Sequence, residues 1–550
     1  MADWLRQHPT ASLCALWALL STALLAASLP HVGTLGMYYD EAFLAQQARG
    51  FVEPARAGVH PPGTSTLWIA GRPLPTRNAG YLGSLKSQLQ IPSLALVGSR
   101  ASVVRLTTLF WGALGLLFSM LLAQRLLGPA VAAWTGVLVA SDPSFFFFAQ
   151  YEWGPFTTGL LCRTAGLWLV VEGWQRERSW IAALGGVVLG LGAYNRADFA
   201  VILAAAALGL ALLYPDVARR AATTRRSLAL WMIAGLTLGA SPIVPVLEQI
   251  FATSSLLAAQ GDLTEKARVL WSVLDGSHFY RVQAAGGRFE ELFDMGAPHG
   301  LFALVSLTAI VFAAARWRAF ELAELHAGRF VLIVTLVVGS LMLALPGAVR
   351  AHHQLNVMPF VHMLVALTAV DLWRWAQGRR SAQLLRAGLL LAALVVGVAQ
   401  LNVVHRTHEL IESTGGRGWW SGRIERAADA LDAEPGAIAV SLDWGFHEPL
   451  LFLTSRAELT EPIWQIGHAR QLGRAWTHDG DDRHVYLVHP ERFDLFGYGP
   501  AFLAAVERDA GGAARIEEHR DREGEVAFLT VRFDRAHRFV YGGEFRIFLR

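Results

Sequence analysis

Near-continuous apolar runs, each close to the roughly 20 residues that span a bilayer core, recur through the first three quarters of the chain, broken by short arginine-bearing segments. About eleven runs of this kind can be read, near residues 11–29, 103–123, 129–148, 155–174, 179–194, 198–214, 227–247, 300–315, 330–347, 355–372 and 384–404. The fifth and sixth are short and meet at Asn195-Arg196-Ala197-Asp198, which predicts partly buried or broken helices there. After residue 405 the pattern changes. Ala437–Leu442, Val485–Val488, Val526–Phe533 and Phe545–Leu549 read as strands, while Pro449–Leu453 and Ala501–Val506 read as helices.

The expected fold class is therefore mainly α: a polytopic membrane bundle over residues 1–404, followed by a small soluble α/β domain over 405–550. The pattern also predicts an amphipathic surface helix from Tyr38 to Phe51.

Arginine placement sets the expected orientation. With the N-terminus inside, Arg6, Arg125, Arg176, Arg178, Arg219, Arg220, Arg225, Arg226, Arg316, Arg318, Arg329, Arg374, Arg379, Arg380 and Arg386 fall in cytoplasmic segments, whereas the short outer turns carry Arg196 and Arg350. Residues 30–100, residues 248–299 and the tail are then extracytoplasmic. Composition agrees, because 53% hydrophobic residues is too apolar for an ordinary soluble enzyme of this size. A net charge of only +3 with clustered basic residues reflects topology and excludes a nucleic-acid-binding face. Cys14 and Cys162 lie inside apolar runs and read as small hydrophobes. Arginine in place of lysine points to a GC-rich bacterial genome, hence an inner-membrane protein.

Candidate chemistry gathers on the outer side. Asp40 and Glu41 open the surface helix just past the first run. Acids favour a helix N-terminus for dipole reasons, but neighbours on a helix point about 100° apart, so one member alone can face a cavity. Lys86 is one of two lysines; it either snorkels from a surface helix or serves as a cation. Asp142 precedes Pro143 and reads equally as a helix-terminating residue, while Glu152 follows on the same face and is suited to orienting an acceptor or holding Lys86. Arg350, His352 and His353 form a second basic group. Arg163 lies mid-span and must face the bundle interior, where a structural ion pair is the expected partner.

Several of these segments resemble one family in order. The acidic pair beyond the first span, Gly80-Tyr81-Leu82-Gly83-Ser84-Leu85-Lys86-Ser87 ahead of Ser102–Leu106, Asp142-Pro143-Ser144 with Tyr151-Glu152-Trp153-Gly154-Pro155, and Pro346–His353 before Pro359-Phe360 resemble the GT-C membrane glycosyltransferases. The likeness is to the protein O-mannosyltransferase and aminoarabinose transferase group. It implies sugar transfer from a polyprenyl-phosphate donor to a lipid, glycan or protein hydroxyl on the outer face, usually with inversion. It also implies roles: Asp40 as general base with Glu41 and Glu152 beside it, Lys86, Arg350, His352 and His353 on the donor phosphate, and Tyr39, Asp142 and Tyr151 at the substrate. Some members use a divalent ion, which the paired histidines leave as an option. The chain departs from the group in two places: its lysine lacks the proline-rich context of aminoarabinose transferases, and its tail lacks a β-trefoil insertion. A lipid or sugar transporter and a non-catalytic scaffold are the competing readings. Against transport, the runs show no repeat symmetry.

Overall fold

A computed structural model describes residues 9–56, 64–246, 262–284, 286, 300–316, 323–345, 350–376 and 382–550. Residues 346–349 of the late outer segment, most of 248–299, and Arg6, Arg318, Arg379 and Arg380 lie outside the described residues.

Among the described residues each apolar run is mainly helix. The first is Pro9–Ser28, the second Ala101–Leu127, the fourth Phe156–Gln175 and the last a 33-residue helix, Ala382–Thr414. Among the described residues six helices are long and apolar enough to cross a membrane, or eight if each of two bent pairs is one span. The third run is one of those pairs. Pro129–Ser141 and Pro143–Gln150 meet at 62°, because Pro143 supplies no N–H to continue the first helix and the Asp142 carboxylate instead accepts from Ser144 N at 2.7 Å. The fifth and sixth runs break as the sequence suggests: Ser179–Asn195 ends at extended Arg196, and a 3₁₀ turn, Ala197–Phe199, precedes Ala200–Leu213.

Small residues let neighbouring helices close on one another. Ser179–Asn195 packs against Phe156–Gln175 and Arg226–Ala240. At Gly186, Gly190, Gly235 and Gly239 an added Cβ would lie 2.1–2.3 Å from a backbone oxygen of the facing helix. At the arginine-rich end Arg125 pairs with Glu172 at 2.9 Å, Arg225 with Glu177 at 2.5 Å and Arg316 with Asp371 at 2.8 Å. Mid-helix Arg163 is buried, as its position requires, but its expected carboxylate is replaced by an amide: it donates to Asn356 Oδ1 at 3.0 Å and to Leu355 O at 3.3 Å.

The predicted surface helix is present as Tyr39–Val52, yet it does not lie on a surface. Ten of its residues are buried, between a β-hairpin, Ser65–Ile69 with Arg72–Ala79, the helix Leu85–Val97, and the tail helix His447–Leu453. The tail contains a five-stranded sheet ordered Glu458–Thr460, Ile438–Ser441, His484–Val488, Val526–Phe533, Ala514–Arg520; the first three strands are parallel and the others antiparallel. A second sheet joins Trp476–Gly480, His537–Tyr541 and Phe545–Leu549. The tail's own apolar cores are built around Val440, Tyr486, Phe502 and Phe539, and around Ala439, Leu450 and Leu487.

Candidate active site

The adjacent acids diverge as helix geometry demands. Glu41 is 1% exposed and takes both its oxygens to Arg105, at 2.9 and 3.0 Å. The same guanidinium donates to the carbonyls of Val32, Leu35 and Gly36 and lies 4.8 Å over the Tyr151 ring. Every donor direction of Arg105 is therefore used, and Glu41 with Arg105 pins the segment that leads into the helix. Tyr151 is buried with them, its hydroxyl donating to His31 O and its ring stacking on Phe279. Asp142 is likewise fully buried, divided between its helix cap and His362 Nε2 at 2.8 Å. These three side chains hold the fold, and their oxygens are already engaged.

Asp40 differs: it is half-buried, where Glu41 is fully buried. It accepts a hydrogen bond from the Trp153 indole. Burial raises its pKa to about 6, opposed by that hydrogen bond and by the charges of Arg350 and Lys86. Trp153 ties the group together. Its ring lies 5.2 Å from His352 and 6.2 Å from His278 between centroids.

Lys86 does not snorkel to solvent. It is 2% exposed, sits in the first turn of Leu85–Val97, and meets Glu152 Oε2 at 2.5 Å. Glu152 in turn accepts at Oε1 from Thr157 N at 2.5 Å and Thr157 Oγ1 at 2.8 Å. The ammonium is thus aimed by a carboxylate that is itself fixed by a helix start.

On the far side His353 Nδ1 lies 2.9 Å from Asp198 Oδ2. Asp198 also accepts from Arg196 Nε and Nη2 at 2.6 and 2.5 Å and from Asn356 Nδ2 at 3.1 Å. Arg196 Nη2 reaches the His352 carbonyl at 2.9 Å. In electrostatic reach of both this cluster and Asp40 is Tyr81, whose phenol is pushed up to about 12, first by burial and then by the negative charge of Asp40. Gly154 fits here for two reasons. Its φ is +71°, a conformation that Cβ disfavours, and an added Cβ would meet the His352 ring at 3.3 Å and Arg196 Nη1 at 3.5 Å.

Tyr39 faces the tail. Its ring stacks on Trp444 with centroids 4.7 Å apart, and its hydroxyl donates to Glu461 at 3.3 Å. Among the described residues no group of three His, Cys, Asp or Glu side chains could hold a metal ion.

Asp40, Lys86, Glu152, Arg350, His352 and His353, singled out by sequence, are linked through this one region. Trp153, Tyr81, Arg196 and Asp198 join them without having been singled out as site residues. Arg196 and Asp198 were visible as charged residues interrupting two apolar runs, Arg196 also as a turn arginine, and Trp153 as the neighbour of Glu152.

A family model described as dolichyl-phosphate-mannose-protein mannosyltransferase matches residues 89–247. No curated protein matches the chain. Among solved structures, that of ArnT from Cupriavidus metallidurans bound to undecaprenyl phosphate is similar over 94% of this chain and 97% of its own, at 12% identity and a TM-score of 0.56. The archaeal oligosaccharyltransferase AglB from Archaeoglobus fulgidus, solved with an inhibitory peptide and a dolichol-phosphate, is similar over 82% of this chain and 64% of its own, at 13% identity and a TM-score of 0.53. The chain thus has the GT-C fold of a multi-pass membrane protein, as the sequence resemblance implied.

Proposed function

We propose that this protein transfers a sugar from a polyprenyl-phosphate donor to an acceptor hydroxyl on the extracytoplasmic face of a bacterial inner membrane, with inversion and with Asp40 as general base. The observation that carries the reading is Asp40 itself, the member of the acidic pair left partly exposed, raised to about 6 and within the field of Lys86 and Arg350. That arrangement suits a displacement in which a base and a phosphate clamp must act on one sugar. The fold supports the donor class, because similar structures hold undecaprenyl phosphate and dolichol-phosphate.

In this mechanism Lys86 and Arg350 bind the donor phosphate and stabilise the charge that grows on it as the glycosidic bond breaks, an effect strongest in a water-poor, preorganised site. Glu152 positions Lys86 through the 2.5 Å pair. Asp40 accepts the proton of the attacking hydroxyl on the opposite side of the anomeric carbon. A carboxylate with a pKa near 6 is still ionised at neutral pH, yet is a stronger base than an ordinary aspartate, which favours proton transfer. His352 and His353, held by Arg196 and Asp198, line the remaining wall and contact donor phosphate or sugar. Glu41 and Arg105 fix the backbone from which Asp40 projects.

The test is reconstitution of wild type and Asp40→Asn with a panel of polyprenyl-phosphate sugars, following released polyprenyl phosphate by mass spectrometry. Wild type is expected to release it with at least one donor. Equal release by Asp40→Asn would refute the role of Asp40.

A further inference from the structure

Where the Tyr39–Val52 helix begins, the tail covers it with aromatic rings and two carboxyl groups that the mechanism above does not use. Trp420 stacks on Tyr38 at 4.0 Å and 4°, and Trp444 stacks on Tyr39. Next to them lie Glu448, 1% exposed, and Glu461. Glu461 spends one oxygen, Oε2, on Tyr39 Oη and on Trp464 Nε1 at 2.8 Å. Its Oε1 and the Oε2 of Glu448 are buried without any hydrogen-bond partner.

Two acids in mutual electrostatic reach, each with an unsatisfied buried oxygen, are an expensive arrangement for a fold to keep. The charge that acts most on Glu448 is that of Glu461, and Asp443 adds a further negative charge on Glu461. Resting on the sugar-transfer reading, we propose that Glu448, Glu461 and Trp444 form the acceptor subsite, and that the acceptor is a neutral polyhydroxylated group, the hydroxyl-bearing edge of a glycan.

Three features select that chemistry. Burial lifts Glu448 to about 8 and Glu461 to about 7, so near neutrality both hold a proton for much of the time and can donate as well as accept, as hydroxyl partners require. Trp464, at 55% exposure, offers aromatic surface with a polar handle, which suits the C–H face of a sugar ring, and Trp444 is half-buried with its ring stacked on Tyr39. Tyr39, bonded to Glu461, lies in electrostatic reach of both Glu448 and Asp40, so a glycan held here lies close to the base. A cation is the competing ligand for paired acids, but no three-ligand group exists among the described residues.

The experiment reads binding without donor, so it stands apart from the transfer assay. Purified full-length protein in nanodiscs is titrated with methyl glycosides of neutral hexoses and hexosamines, with lysine methyl ester and with Mg²⁺, following tryptophan fluorescence. A neutral glycoside is expected to change the emission of wild type. Glu448→Leu is expected to weaken that binding by about tenfold, the loss of roughly one good hydrogen bond, while Tm holds or rises because an unsatisfied carboxyl has gone. Trp464→Ala, at an exposed position, serves as the second variant and should weaken glycoside binding with Tm unchanged. Unaltered glycoside binding in both variants overturns the proposal, as does a response to Mg²⁺ or the amine alone, or a fall in Tm that parallels the loss of binding. Loss of transfer in Asp40→Asn with glycoside binding intact supports both readings; persistence of transfer in Asp40→Asn removes the mechanism alone.

Discussion

At the scale of single residues, the adjacent carboxylates Asp40 and Glu41 have opposite environments, and two variants should separate them. Asp40→Asn removes the base and is expected to lower kcat by about 10²- to 10⁴-fold with little change in Tm. In wild type the pH profile of kcat/KM should rise through an acid limb near 6, because the base works only when ionised and burial holds its pKa at about 6. A limb near 4 would contradict this. Glu41→Gln instead leaves Arg105 buried beside a neutral amide, and breaking a buried pair costs about 3–5 kcal/mol, so unfolding should shift strongly before any catalytic effect is read. The 100° rule on a helix made it legible that only one acid could face a cavity. Which acid it is depends on Arg105, a residue 64 positions away from Glu41 that no local pattern connects to it.

At the scale of elements, the helices were legible because bilayer length and apolar composition fix them independently of tertiary contacts. The connections were less so. The Tyr39–Val52 helix reads as amphipathic, yet its polar face is covered: Arg49 donates to Leu451 O at 3.1 Å and to Phe452 O, a burial no hydropathy window can register. The edge strand Ala514–Arg520 was missed because its residues are mostly charged and exposed, as edges often are. The segment after the bent third span carries a direct test. Gly154→Ala should destabilise by about 1–2 kcal/mol from its positive φ and, because the new methyl meets His352 and Arg196, also lower kcat/KM. Gly128→Ala is the control: its φ is +94° with nothing within 4 Å of the added Cβ. Its ψ of 168° puts it in a region held almost only by glycine, so it should lose at least as much in thermal unfolding while transfer continues at the wild-type rate. If both variants lose activity equally, the loss at Gly154 is strain alone.

At the scale of the whole molecule, the docking of the tail turns a question of topology into one of chemistry. Gly36 N donates to Trp420 O at 2.8 Å, and Gly36 has no room for a side chain because Ser421 O would lie 2.1 Å from it. With the stacked Tyr38–Trp420 pair and the Arg49 contacts, this places Asp40 and the tail on one side of the membrane, whichever side that is. The arginine pairs at Glu172, Glu177 and Asp371 lie at the opposite ends of their helices from Glu152 and Arg196, so one measurement fixes both faces. With Cys14 and Cys162 replaced by Ala, a cysteine at exposed Ser455 should react with a membrane-impermeant maleimide in intact spheroplasts. One at exposed Arg219, in the short helix Pro215–Ala222 between Ala200–Leu213 and Arg226–Ala240, should react only after permeabilisation. The reverse pattern would put Asp40 in the cytoplasm, where the arginine asymmetry could no longer be read as a positive-inside signal and the donor would have to be taken from the inner leaflet.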